Sequence, residues 1–166
     1  MRRSGRRWSR WADGAHGEAF SDGAGVAWNR AAAGHEQGGM SRFAVSGFDH
    51  IVLCVRDVPA TRAFYERVLG MESREERPGK WSLHFGHHKI SLQDAVASPS
   101  IAKDTVPGSG NFCLISTTPV AAWREHLARE GVQVIDSGER AGATGPIDSL
   151  YFNDPDGNLV EVSYRL

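Results

Sequence analysis

Long apolar runs are missing from this sequence. No window approaches the ~18 consecutive apolar residues needed to cross a bilayer as a helix. Charge of one sign is missing too: 19 Lys and Arg face 20 Asp and Glu, for a net charge of −1. That balance gives no electrostatic case for nucleic acid or an acidic membrane surface as partner. Cysteine is scarce. Cys54 and Cys113 each sit in an apolar, strand-like run, too few for a disulfide framework. They read as buried, reduced thiols, which places the protein in the cytoplasm. A Walker-type phosphate loop, a GxGxxG fingerprint and a nucleophile elbow are all absent, so nucleotide-dependent and serine-hydrolase readings have no support.

Residues 1–46 are rich in Gly, Ala, Arg and Ser and lack sustained apolar periodicity. Such a segment buries too little surface to offset its ordering entropy, and it reads as a disordered or mis-started extension. The first 12 residues hold five arginines and no acid, as a transit peptide would, but no apolar signal core follows. Met40 opens MSRFAVSGFDHIVLCV, a natural start just before patterned sequence. Trp8, Trp11 and Trp28, three of the chain's five tryptophans, lie in this extension and could dock loosely on the domain.

From Phe48 the pattern sharpens. FDHIVLCV is β-branched and apolar, and predicts a strand. Asp57 and Pro59 then start a helix that Gly70 stops, and short strands are expected at 71–76, 80–86 and 88–94. After a Pro-, Ser- and Gly-rich loop over 95–109, NFCLIST predicts a strand and VAAWREHLARE a helix, between Pro119 and Gly131. Further strands are expected at 132–136, 147–153 and 158–164, the last two joined across Asn153-Asp154-Pro155-Asp156-Gly157-Asn158. Each half is strand, helix, then three strands. His50 precedes Gly70 by 20 residues, and Asn111 precedes Gly131 by 20. The expected fold is therefore α+β, with two βαβββ modules, 47–95 and 109–165, in one domain over 47–166. Two such modules suggest curved sheets pairing to enclose a cup.

His50 stands in an apolar strand, sharing a face with Val52 and Cys54 by period-two alternation. Glu161 lies between valines in the last strand, where a carboxylate must face water or meet a partner. At matching places in first and last strands, the pair makes a plausible N/O metal site, suited to Zn, Ni, Fe, Mn or Co. His84 lies on a strand expected to line the cup, whereas His87 and His88 sit at a turn. His126, near Glu125 and Arg129, reads as part of a solvated helix face. Arg140 and Thr144 fall in the long loop before 147–153, where a substrate-gripping segment would lie, and Arg140 suits a carboxylate or phosphate. Phe64 and Trp123 occupy equivalent helix positions and read as sheet-packing residues. Tyr65 and Tyr151 read as either pocket or core.

The segments FDHIVLCVRDV, AFYERVLGM, RAGATGPIDSLYF and YFNDPDGNLVEVS resemble the vicinal oxygen chelate (glyoxalase/bleomycin resistance/dioxygenase) superfamily. The likeness is to its branch of glyoxalase domain-containing and bacterial virulence or lactoylglutathione-lyase-like proteins. The resemblance covers residues 47–165 and implies paired βαβββ modules. It also implies one divalent metal, held by side chains from the first and last strand of each module. His50 matches the first of these ligands and Glu161 the last. Asn111 stands where histidine is expected. For module one's last strand, gapped alignment leaves Ser91 or Gln93 opposite Glu161, and Gln93 has the length and carbonyl oxygen of a ligand. Such a set, with one imidazole and one carboxylate, should bind metal more weakly than two of each. Glu161 is the expected catalytic base.

Three functions are compatible with these residues. One is a metal-dependent lyase or isomerase of a small oxygenated or thiol-conjugated substrate. Another is a metal-free, bleomycin-resistance-type protein that binds a drug or metabolite. A dioxygenase is the third, and would want a second histidine. The substrate-site candidates are Arg140, Thr144, His84 and Tyr151. A homodimer is expected, because open sheet edges need cover.

Overall fold

The computed structural model describes residues 45–97, 100 and 102–166. The expectations for the N-terminal extension, its tryptophans included, lie outside the described residues. Module one comprises β1 (His50–Val55), α1 (Val58–Leu69), β2 (Glu72–Arg77), β3 (Lys80–Phe85) and β4 (His88–Asp94). Module two repeats the order with β5 (Asn111–Ser116), α2 (Val120–Arg129), β6 (Asp136–Gly142), β7 (Gly145–Asn153) and β8 (Leu159–Arg165). Each module forms one four-stranded mixed sheet, in the order β1-β4-β3-β2 or β5-β8-β7-β6. The pairs β1–β4 and β5–β8 are parallel and the others antiparallel. This is the expected α+β fold of two βαβββ modules.

The helices stop and start for local reasons. Asp57 is extended, and its carboxylate accepts from the Ala60 amide at 2.8 Å, satisfying an otherwise orphan donor. Gly70 ends α1 with φ 64°, a left-handed turn that a side chain would resist. The second helix follows Pro119 without a side-chain cap, and Gly131 takes φ 68° just past its end.

One face of each sheet is apolar and carries its helix. Val55, Leu83 and Ile90 meet Tyr65 and Val68 in module one, while Leu127, Leu150, Phe152 and Val162 lie in the same cluster from module two. Burying each such side chain contributes about 1.5–3 kcal/mol before entropy is counted. Phe64 and Trp123 pack on this cluster as expected, and Tyr65 is wholly buried in it.

The two modules are tied by the turn before β8. Asp156 accepts from the Arg56 amide at 3.2 Å and from its guanidinium at 3.0 Å. The Tyr65 hydroxyl donates to Asp154 at 2.9 Å. Within module two, the Gly110 amide donates to Asn158 at 2.7 Å. Asp154, Asp156 and Asn158 are all buried, and Asp154 also accepts from the Asp156 and Asn158 amides. The turn thus alternates, with Asp154, Asp156 and Asn158 buried and hydrogen-bonded inward while Asn153, Pro155 and Gly157 face solvent.

Two expectations need correction. The strand expected at 132–136 runs instead from Asp136 to Gly142, and the preceding Val132 and Val134 pack on the core as a connector. As a result, no long loop precedes β7: Arg140 lies in β6, and Thr144 sits at the tip of the β6–β7 hairpin, where Gly142 opposes Gly145. SGERAGATG has low strand propensity, so only pairing with β7 makes it a strand. His126, expected in solvent, is half-buried and bonds the Val68 carbonyl at 2.9 Å across the helices.

Candidate functional site

The faces opposite the helices carry the polar side chains. In a registered pair, side chains point to the same side of the sheet. In module one, His50 opposes Lys89, Val52 opposes Ser91 and Cys54 opposes Gln93. In module two, Asn111 opposes Leu159 and Cys113 opposes Glu161, which also opposes Tyr151. His50 and Asn111 open equivalent strands, so the register makes Ser91 the counterpart of Glu161. Gln93 lies two residues beyond, on the same face.

β1 and β5 are the edge strands of their sheets, and they border a common cavity of about 520 Å³. Their closeness is visible at Gly110, where an added Cβ would meet Leu53 Cδ2 at 2.8 Å. His50, His88, Lys89 and Asn111 line this cavity, together with apolar residues such as Ile51 and Phe112. His88, discounted in the sequence as a turn residue, bonds the Phe48 carbonyl at 2.9 Å. His50 Nδ1 lies 2.7 Å from Asp49 Oδ1, a bond that holds the Asp49 carboxyl below its ordinary range.

Glu161 lines a second cavity, of about 480 Å³, with Tyr151, Arg140, Arg165 and Cys113. Its Oε1 accepts from Ser163 Oγ at 3.2 Å, and Ser163 in turn meets Ser149 at 2.8 Å and Cys113 Sγ at 3.2 Å. Burial, then the Glu161 carboxylate, pushes the Tyr151 phenol above its ordinary range, while Arg140 pulls the other way. Arg140 is held by Asp136 at 2.8 Å, and its guanidinium sits 5.3 Å from the Tyr151 ring centroid. Thr144 accepts a hydrogen bond from Arg165.

Cys113 borders both cavities and is exposed, against the expectation of a buried thiol. Period-two alternation from Asn111 was the signal that placed it on the polar face. Burial raises its thiol above the ordinary value. His84 lines neither cavity. Its Nε2 lies 2.9 Å from Ser82 Oγ and 3.1 Å from Glu76 Oε1, which also accepts from Lys89 at 3.0 Å. Those bonds, from Ser82 first, push Glu76 down to about 2.

The structure therefore groups His50 with Asn111, and Glu161 with Tyr151 and Arg140, with Cys113 at the join. Gln93 lines neither cavity. Among the described residues, no three His, Cys, Asp or Glu side chains stand close enough to hold one metal ion. The expected set has only two members of those types; its others are amides.

The sequence profile of the Glyoxalase/Bleomycin resistance protein/Dioxygenase superfamily matches residues 47–162. The chain belongs to this superfamily. Over 122 residues this glyoxalase-superfamily chain is 38% identical to the virulence protein STM3117 of Salmonella typhimurium, spanning 72% of this chain and 84% of that protein. The crystal structure of STM3117 aligns with a TM-score of 0.73 at 36% identity, over 75% of this chain and all of that one. A glyoxalase domain-containing protein of Mycosarcoma maydis, RDO1, is 37% identical over 124 residues, or 74% of this chain and 70% of that protein. The lactoylglutathione lyase of Agrobacterium tumefaciens aligns with a TM-score of 0.57 at 26% identity, covering 72% of this chain and 94% of that one. No helix among the described residues is long and apolar enough to cross a bilayer.

Proposed function

We propose that this protein is a lyase or isomerase of the lactoylglutathione-lyase type, acting on a small oxygenated or thiol-conjugated substrate. The observation that carries the reading is Glu161. It is a half-buried carboxylate in a cavity wall, beside a phenol hydroxyl and two guanidinium groups. A carboxylate so placed takes the proton from a carbon next to a carbonyl and returns it to the neighbouring carbon. Tyr151 stands opposite Glu161 in the β7–β8 register and would orient that carboxylate. Arg140, braced by Asp136, offers its guanidinium to a carboxylate or phosphate on the substrate. His84 and Thr144 are placed further out, on the wall formed with Glu76 and at the hairpin tip.

By type alone the expected donors would suit one divalent metal, but they are not grouped: His50 and Asn111 line one cavity, Glu161 another, and Gln93 neither. An ionised Asp49 can only accept, so His50 gives up Nδ1–H to it and keeps Nε2 for a ligand. Brought to one ion, Glu161 would add a carboxylate, and Asn111 and Gln93 amide oxygens, ligand types that Zn, Ni, Co, Mn or Fe accept. When bound, the metal would polarise a substrate carbonyl as a Lewis acid. We place the chemistry in the cytoplasm, where the free Cys54 and Cys113 stay reduced. A homodimer belongs to the same proposal. β1 and β5 are unpaired edges flanked by Phe48, Val52 and Ile115, which are 82%, 48% and 48% exposed.

Protein purified without added metal is expected to carry a divalent ion by elemental mass spectrometry. Glu161→Gln is expected to lower kcat on the hemithioacetal of methylglyoxal and glutathione by about 10²–10⁴-fold. Wild-type turnover that survives in Glu161→Gln would sink the base assignment. A second reading, a metal-free binding protein for a drug or metabolite, is favoured by Asn111 at a ligand position. It takes over when the purified protein holds no metal and turns over no substrate, yet binds an apolar ligand.

A further inference from the structure

The cavity that holds Glu161 is built in rows across module two's sheet. Arg140 opposes Ile147 in the β6–β7 register, and Ile147 opposes Arg165 in the β7–β8 register, so the three side chains share a face. Two residues along the same strands, Gly138, Ser149 and Ser163 form the next row. Asp136, Tyr151 and Glu161 form the third. Arg140 leaves its own row. Its guanidinium reaches back to Asp136 at 2.8 Å and to the Tyr151 ring, crossing Gly138, where an added Cβ would stand 3.2 Å from Nη1. Arg165 stays at the far end, where it donates to Thr144 Oγ1. Four residues separate it from Glu161, about 13 Å of strand. The two arginines therefore differ in the charge they present. Arg140 already meets a carboxylate. Thr144 gives Arg165 only a neutral oxygen, and among the described residues no carboxylate pairs with it.

We propose that Arg165 is a specificity-determining residue, which anchors a carboxylate or phosphate of the substrate at the end of this cavity opposite Glu161. The inference deepens the proposed function by naming the substrate class: a short oxygenated compound that carries its own anionic group. A guanidinium binds such a group through a charge-assisted fork that a hydroxyl partner does not match. Ile115 and Ile147 also line the cavity, so the carbon chain that joins the two ends meets apolar walls. Binding of the anion at Arg165 does not depend on a metal, nor on the role of Glu161 as base.

The test titrates full-length protein with sodium phosphate, sodium pyruvate and, as an uncharged counterpart, hydroxyacetone, and follows the backbone amides by nitrogen-15 spectra. Wild type is expected to bind at least one of the two anions, with shifts concentrated at residues 140–147 and 163–166. Which anion binds identifies the group as phosphate or carboxylate. Arg165→Gln is expected to weaken that binding about tenfold, the usual worth of a hydrogen bond to a charged group. Arg165→Lys keeps the charge but not the fork and should fall between the two. Arg129→Gln, at an exposed position of α2, should bind as wild type does. Melting temperatures close to wild type show that each variant is folded. The inference is overturned if neither anion binds, if hydroxyacetone binds as tightly as the anions, or if Arg165→Gln loses no more than Arg129→Gln. None of these readouts needs turnover. Activity that survives in Glu161→Gln therefore removes the base assignment and leaves the anion site standing.

Discussion

Glu76 shows how much of this surface is organised by single atoms. One of its oxygens accepts from Ser82 at 2.7 Å, Lys89 at 3.0 Å and His84 at 3.1 Å. These bonds favour the ionised form, so the folded carboxyl sits at about 2 against an ordinary 4.5. A depressed carboxylate contributes stability above its unfolded value and loses it as pH falls through the folded one. Wild type should therefore lose stability progressively between pH 4.5 and about 2, and Glu76→Gln should lose less over that window. Because Glu76 is exposed, the difference will be modest. Urea midpoints of the two proteins at pH 7 and pH 3 check it, and parallel declines would reject the assignment. The sequence shows three groups of suitable type here but not their meeting, since their spacing reflects no local motif. The Asp154 and Asp156 carboxylates are similar: they read as turn residues, and only their partners across the domain reveal a strut.

At the level of elements, one seam is set at Gly110, where Leu53 of β1 meets the residue leading into β5. Gly110 lies one residue before β5, and a Cβ there would stand 2.8 Å from both Leu53 Cδ2 and Asn158 Oδ1. Gly110→Ala must shift a packed leucine and a buried amide that already bonds the Gly110 amide. Overpacking of this kind costs about 1–3 kcal/mol. Gly47→Ala, with nothing within 4 Å of its Cβ, is expected to be neutral and serves as control. Equal urea midpoints for the two variants would show that the seam yields freely. The helices and their stops were legible because each carries local signals: Asp57 and Gly70 for α1, Gly131 after α2. β6 was not, because its strand character comes from pairing with β7.

At the scale of the whole molecule, two duplicated modules share one apolar cluster, and polar ties cross between them from Arg56 to Asp156, Tyr65 to Asp154, Arg67 to Glu130 and His126 to Val68. None of these ties involves residues before Val45. A chain starting at Met40 is therefore expected to melt within a few degrees of the full-length protein. A loss of many degrees, read by circular dichroism, would implicate Trp8, Trp11 or Trp28 in packing.

The order strand, helix, three strands, twice over, is written in the sequence, because periodicity, caps and glycine stops act over a few residues. So is the membership of His50 and Glu161 in first and last strands. Tertiary structure alone decided that Ser91 rather than Gln93 is the counterpart of Glu161, and that Cys113 is exposed between two cavities. It also decided that Asp154 and Asp156 of the turn before β8 clasp the other module. Register and contact between distant segments depend on which surfaces bury together across the whole domain. No short stretch of residues carries that information.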